Sequence, residues 1–329
     1  MLPKIMILGT GGTIAGTAEN ANKTVGYESG KLDISSIIDS VPGINSMAKI
    51  QYEQVFNFCS RRMKPENWVI LAKNVQKYLD EDFDGVVITH GTNTLEETAY
   101  FLHLTVKTEK PVVITCAMRP ATAISADGPM NIYQAVKVAS NKNSWSRGVL
   151  AVINDRLFCA RDVSKGSTTN PDTMNSQNTQ IIGTIEGNQI FYNFSSDKLH
   201  TFKSEFNIRD IDALPKVDVV YNYAGAGREL VDCFINNDSK GIVSAGVGNG
   251  AFTDEILAGF KDASEKGIFV VRSSRAGSGH IIRNGDEKDN EYNFIVSNDL
   301  NPQKARVLLV VALTKTDNLQ KIQKIFDEY

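Results

Sequence analysis

Short apolar runs that end in glycine-rich turns and alternate with amphipathic helical stretches constrain this chain more than any other feature. Residues 5–8 read as a strand. Residues 66–81 read as a helix, because Trp68, Leu71, Ala72, Val75 and Leu79 recur at helical spacing. Residues 86–89 form a buried strand, and Thr94 with Glu97 has the spacing of a capping box that opens a helix to about Val106. A strand at 111–116 follows, then a helix opened by Asp127-Gly128-Pro129 with proline in its first turn, then a strand at 149–153. Such β-α-β alternation implies an α/β fold built on a mostly parallel sheet covered on both faces.

At 329 residues the chain is long for one core, so two domains are expected. The stretch 194–213 is polar, lacks periodicity and reads as a linker. Beyond it the alternation resumes with strands at 217–221, 241–245 and 268–271, a helix at 253–266, and a helix to about Leu313 capped by Asn301-Pro302. The expected organisation is a larger N-terminal α/β catalytic domain (1–193) and a smaller C-terminal α/β domain (214–329).

A net charge of -3 offers no electrostatic case for nucleic acid or an anionic membrane as partner, and no apolar run is long enough to span a bilayer. Cys59, Cys116, Cys159 and Cys233 are far apart with no Cys-x-x-Cys pair, which argues against a zinc site and a disulfide framework. Cys116 and Cys159 lie in apolar stretches and read as buried hydrophobes. The first strand starts almost at once. The single Met before Leu2-Pro3 fits a cytoplasmic start, or an initiator placed where a leader was removed.

Two of the glycine-rich turns carry threonines. Gly9-Thr10-Gly11-Gly12-Thr13-Ile14-Ala15-Gly16 follows the first strand, and Thr89-His90-Gly91-Thr92-Asn93-Thr94 ends the second. Ile14 stands where a dinucleotide fingerprint needs its third glycine, and no Gly-Lys-Ser/Thr is present, so a nucleotide phosphate loop is a poor reading. A single such turn is ordinarily structural. Two hydroxyls delivered to strand ends, where ligands bind in open α/β sheets, suggest nucleophilic chemistry instead. A threonine hydroxyl is a weak nucleophile and needs a base. His90 alternates away from the threonines. Lys165, in the polar segment 161–167, is either a solvated lysine or, if desolvated, a usable base.

At this point the residues resemble a known family. The two threonine motifs, together with Ala117-Met118-Arg119-Pro120, Ser125-Ala126-Asp127-Gly128-Pro129, Gly246-Val247-Gly248-Asn249-Gly250 and Leu300-Asn301-Pro302-Gln303-Lys304-Ala305-Arg306, are similar to signatures of the bacterial type II L-asparaginases. They occur in order along essentially the whole chain. The resemblance implies hydrolysis of a side-chain amide to a carboxylate and ammonia through an acyl-threonine, with no metal and no organic cofactor. By the same resemblance Thr13 is the first nucleophile, Tyr27 the lid tyrosine that orients it, and Thr92 with Lys165 the second threonine and its lysine. Backbone N–H groups near Gly12 and Thr92 then face the oxyanion, Gly91 belongs to the substrate-binding set, and Ser60 grips the substrate α-carboxylate. Asn249 is the residue a neighbouring subunit inserts into the site. That implies a homotetramer, a dimer of dimers with shared sites, in a periplasmic setting or, alternatively, a cytoplasmic one.

Three positions depart from the family pattern, and all belong to the subsite for the substrate's α-ammonium. Asn93 replaces an aspartate, Arg61 a glutamine or glutamate, and Asp286 (or Glu287 beside it) a glutamate. Losing one anion and gaining one cation disfavours a free ammonium, since a unit charge pair ~4 Å apart is worth roughly 4 kcal/mol at an effective dielectric near 20. Three readings are open. One is an amidase for an asparagine substituted on its α-nitrogen, such as fructose-asparagine. The second is an ordinary asparaginase that tolerates the changes. The third is a catalytically weak homologue that binds an amide ligand. Leu79 and Thr108 lie near the places where type II enzymes often carry a disulfide.

Overall fold

The computed structural model describes residues 1–329, which divide into a unit of residues 1–210 and one of residues 211–329. In the first, β1 (Lys4–Gly11), α1 (Ile34–Asp39), β2 (Lys49–Phe58), α2 (Pro65–Asp80), β3 (Gly85–Thr89), α3 (Leu95–Thr105), β4 (Val112–Thr115), α4 (Gly128–Ala139) and β5 (Val149–Ile153) alternate. Then follow β6 (Arg156–Cys159), β7 (Val163–Lys165), β8 (Met174–Ser176), β9 (Gly183–Glu186) and β10 (Gln189–Tyr192).

The eight-stranded sheet runs β10-β9-β6-β5-β4-β3-β1-β2. From β2 to β5 every pairing is parallel; β6, β9 and β10 add an antiparallel edge. The fold class is therefore α/β with a mostly parallel sheet. Antiparallel order begins at Asn154-Asp155, both with positive φ (52° and 60°), the backbone of a tight two-residue hairpin. Strands β3 and β4 are buried at every position, and because successive side chains point to opposite faces, both faces there are covered. Ile5, Ile7, Val87, Val113, Leu150 and Val152 pack with apolar residues of α1 and α4 on one side. Trp68 of α2 stacks on Phe101 of α3, with centroids 5.6 Å apart.

The order around β1 positions everything that follows. The chain leaves β1 toward β2 on one side, while β3 lies on the other, with Gly9 level with Thr89. This is the switch point of a doubly wound sheet, where the turns after adjacent strands diverge and open a crevice.

Segment 194–210 packs onto the first unit instead of hanging as a free connector. His200, Phe206 and Ile208 are buried, Arg209 donates to Asp80 at 2.6 Å, and Lys107 donates to the Phe202 carbonyl at 3.2 Å. A few anchoring side chains in an aperiodic stretch leave no pattern for sequence reading. Burial holds both His90 and His200 at about 4, against an ordinary 6.5. The unfolded chain takes up these protons below pH 6.5 and the folded protein only near pH 4. Stability therefore declines as pH falls through that window, by up to about 1.4 kcal/mol per pH unit for each histidine. Urea midpoints measured from pH 7 to pH 4.5 should drop steadily; a flat profile would contradict this.

The second unit holds the parallel sheet β11 (Val217–Tyr221), β12 (Gly241–Gly246), β13 (Phe269–Ser274) and β14 (Ile295–Val296), in that order. Five helices accompany it: α5 (Glu229–Asn236), α6 (Asp254–Glu265), α7 (Asp289–Tyr292), α8 (Pro302–Ala312) and α9 (Leu319–Glu328). The Asn301 side chain accepts from the Lys304 N–H at 2.9 Å and caps α8. Arg272 on β13 and Asp289 form a fully buried two-pronged ion pair at 2.7 Å, and Arg272 also donates to the carbonyls of Asn249 and Ile282.

Candidate active site

The turn after β1 and the turn after β3 touch backbone to backbone. Gly11 and Gly12 hold φ of 90° and 85°, a region that favours glycine. A Cβ on Gly12 would lie 2.4 Å from the Gly91 Cα, and one on Gly91 would lie 2.6 Å from Ser60 Oγ. The glycines are therefore what lets the two threonine turns and the Ser60 turn meet. Gly12→Ala combines that clash with unfavourable φ, so it should cost at least about 3 kcal/mol in urea unfolding and remove activity. Wild-type-like stability would show that the turns need no such contact.

Thr13, just after the Gly12 turn, is buried, and its hydroxyl is 2.5 Å from the Tyr27 hydroxyl. Burial pushes the Tyr27 phenol up, partly offset by the Thr13 hydrogen bond. The phenol is thus neutral and suited to orient or relay a proton, not to act as an anionic base. Thr92 is buried across the turn, and Lys165 Nζ donates to Thr92 Oγ1 at 2.9 Å and to Asn93 Oδ1 at 3.0 Å. Burial pulls the Lys165 ammonium down. Its partners are a hydroxyl and an amide, neither of which holds a positive charge as a carboxylate would. Lys165 lies at the end of β7, paired with Met174 of β8, and not in an open loop. Three residues are too few to show a strand's alternation.

Ser60 Oγ is buried against Gly91 without a hydrogen-bond partner. The Thr94 hydroxyl donates to the Ser60 carbonyl at 2.9 Å, so it ties two turns together and does not form the expected capping box on α3. The Gly12 N–H donates to the Phe58 carbonyl at 2.9 Å and is taken, which removes it from the set of oxyanion donors. The Thr92 N–H makes no backbone hydrogen bond. His90 binds the Gly91 carbonyl through Nδ1 at 2.8 Å and is fully buried, outside the lining of the crevice.

Thr13, Tyr27, Arg61, Thr92, Asn93 and Lys165 line a cavity of about 900 Å³, whereas Ser60, Gly12 and Gly91 stand outside its lining. Arg62 and Arg119 line it too and were not singled out from the sequence, although Arg62 adjoins Arg61 and Arg119 lies in one of the motifs. Asp127 is the hidden support: its carboxylate accepts the Met118 and Arg119 N–H groups at 2.8 and 2.9 Å. The lining comes from the first unit alone. Asn249 and Asp286 belong to the second. Asn249 Oδ1 accepts the Ile282 N–H at 2.8 Å, and Asp286 is exposed. Burial pushes the neighbouring Glu287 carboxyl up, opposed by Arg272. No group of three or more His, Cys, Asp or Glu side chains is placed to hold a metal ion, and no helix is long and apolar enough to cross a membrane.

Residues 4–198 match the asparaginase N-terminal domain family, and residues 216–326 match the glutaminase/asparaginase C-terminal domain family. The chain belongs to the asparaginase family. It is 46% identical to L-asparaginase 2 of Bacillus subtilis, with all of this chain and 87% of that protein covered. It is 45% identical to a probable periplasmic L-asparaginase of Haemophilus influenzae, over all of this chain and 93% of the relative. The crystal structure of a probable cytoplasmic L-asparaginase from Campylobacter jejuni superposes with a TM-score of 0.97 at 44% identity, over 99% of this chain and 100% of that one. These relatives place the chain with the type II asparaginases and make it an amidohydrolase enzyme. They include both a periplasmic and a cytoplasmic protein.

Proposed function

We propose that this amidohydrolase acts best on an asparagine whose α-nitrogen is substituted, such as fructose-asparagine, releasing ammonia and leaving the corresponding aspartate. The observation that carries the reading is that the subunit's own cavity lining holds no free carboxylate, which leaves Asp286 of the proposed neighbour as the one anion for an ammonium. The one carboxylate of that lining, Glu28, is paired with Lys31 at 2.7 Å, while Asn93 and Arg61 stand where a free ammonium would need anions. An amide and a guanidinium instead offer hydrogen bonds to the oxygens of a substituent.

The reaction runs on the chain's own groups. Thr13 Oγ1, oriented by Tyr27, attacks the side-chain amide carbon. The Thr92 N–H is a donor for the resulting oxyanion, the kind of interaction that often contributes most to such reactions. The hydroxyl proton passes by way of the Tyr27 hydroxyl to the departing nitrogen, which leaves as ammonia, and an acyl-threonine remains. Lys165, desolvated toward its neutral form, acts through Thr92 to activate water, which hydrolyses the ester and regenerates Thr13. Ser60 holds the α-carboxylate. Asn249 and Asp286 complete the site from a neighbouring subunit of a homotetramer, and the protein works in the periplasm, with the cytoplasm as the alternative.

Ammonia release from L-asparagine and from fructose-asparagine, compared at equal protein concentration, tests the reading. Turnover of the substituted amide in clear preference is the expected result. Preference for asparagine would make Asn93 and Arg61 tolerated changes in an ordinary asparaginase. Silence on both would favour a binder without turnover.

A further inference from the structure

The cavity is built for more negative charge than one amino-acid carboxylate brings. Its lining in one subunit includes five cationic side chains, Lys31, Arg61, Arg62, Arg119 and Lys165, against the carboxylate of Glu28, and the Asp286 that the reading above brings from a neighbour still leaves cations in excess. Two of the five are accounted for. Lys31 is paired with Glu28 at 2.7 Å, and Lys165 is held by Thr92 and Asn93 at 2.9 and 3.0 Å. Arg119 spends one nitrogen on the Ser125 carbonyl at 2.9 Å and keeps the rest of its fork. Arg61 and Arg62 are exposed to the crevice on the short 3-10 turn Ser60–Arg62 and form no ion pair. The same turn carries Ser60, to which the reading above gives the α-carboxylate, so Arg61 and Arg62 follow that residue directly in the chain.

Three guanidinium groups without a counter-anion in one crevice repel one another, and a cleft lined by one sign of charge focuses its field on the ligand. One α-carboxylate balances one of them. Arginine, with its planar fork of donors, suits two-pronged contact with carboxylate or phosphate. In one subunit the crevice is open and measures about 900 Å³, which leaves room for a group beyond a free amino acid.

From this we infer that the α-nitrogen substituent of the preferred substrate is itself anionic, a carboxylate- or phosphate-type group held by Arg61 and Arg62 with Arg119 behind them. The inference rests on the α-N-substituted reading above and narrows it from a substituted asparagine to an acidic one.

Matched pairs of substrates separate the two. N-succinyl-asparagine against N-butanoyl-asparagine, and N-phosphonoacetyl-asparagine against N-acetyl-asparagine, differ within each pair by the terminal acid. Free asparagine serves as the reference. Either acidic member should exceed its neutral match by about tenfold in kcat/KM, as a charge-assisted contact partly open to water provides. The advantage should shrink with added salt. Which acid gains more identifies the anion. Arg62→Gln and Arg61→Gln should each lower kcat/KM for the acidic member more than for the neutral one. If neutral derivatives match acidic ones while free asparagine is poor, the anionic inference is overturned and the α-N-substituted reading stands. If free asparagine outruns every derivative, both fall.

Discussion

Thr13→Ala is expected to lower kcat by about 10⁴-fold or more while leaving the protein folded. Removal of a covalent nucleophile takes away the reaction path itself, and what survives is binding and oxyanion stabilisation. The methyl side chain fits where the hydroxyl was, and the lost hydrogen bond to Tyr27 at 2.5 Å costs little stability in a part-buried setting. Tyr27→Phe should be milder, about 10²-fold, since a neutral phenol orients and relays without bonding to substrate. Thr92→Val should behave differently from both. It leaves acylation possible but separates Lys165 from its hydroxyl partner, so ammonia should appear in a burst of one per site and intact mass should show a trapped acyl group. Steady-state kinetics with intact-mass spectrometry reads all three. A Thr13→Ala enzyme retaining more than about a hundredth of its kcat would remove Thr13 from the nucleophile's role.

The second large effect is a change of specificity. Asn93→Asp combined with Arg61→Gln restores an anion and removes a cation beside the α-nitrogen. At an effective dielectric near 20, each unit charge at ~4 Å is worth at most roughly 4 kcal/mol, and solvent in an open cavity reduces this considerably. A gain of about a hundredfold in kcat/KM for free asparagine, with a loss for the α-N-substituted substrate, is the expected result. Asn93→Asp alone carries a second signature. Burial already pulls Lys165 below an ordinary lysine, so its neutral form appears at lower pH than for a free side chain. A carboxylate accepting from Nζ in place of the Asn93 amide stabilises the ammonium and raises that pKa. The rising limb of kcat/KM against pH should therefore move to higher pH. An unmoved limb, or a double variant still poor on asparagine, would show that Asn93 and Arg61 do not control this subsite.

Much of the site is legible in the sequence because its parts carry local signals. The turns bearing Thr13 and Thr92 announce themselves by glycines after apolar strands. The helix at Pro65–Asp80 shows in its spacing, and Asn301-Pro302 marks the start of α8. These features follow from backbone sterics and hydrophobic periodicity, which act over a few residues. Other elements left no such trace. The Asn154-Asp155 hairpin turned the sheet antiparallel through two residues whose positive φ is only a modest preference of their side chains. The strand carrying Lys165 was too short to alternate, and Thr94 capped nothing because its hydroxyl was drawn to the Ser60 carbonyl.

By itself the sequence determined the α/β class, the family, and which residue types stand at each motif, including the uncharged Asn93 and the cationic Arg61. Only the tertiary structure decided that Thr13 meets Tyr27, that Lys165 is half-desolvated against Thr92 and Asn93, and that Gly12 spends its N–H on Phe58. It also gathered Arg61, Arg62 and Arg119 around one cavity. The physical reason is range. Propensity and periodicity are properties of neighbouring residues, whereas burial, charge balance and hydrogen-bond competition depend on which distant segments the sheet order brings together at the β1–β3 switch point.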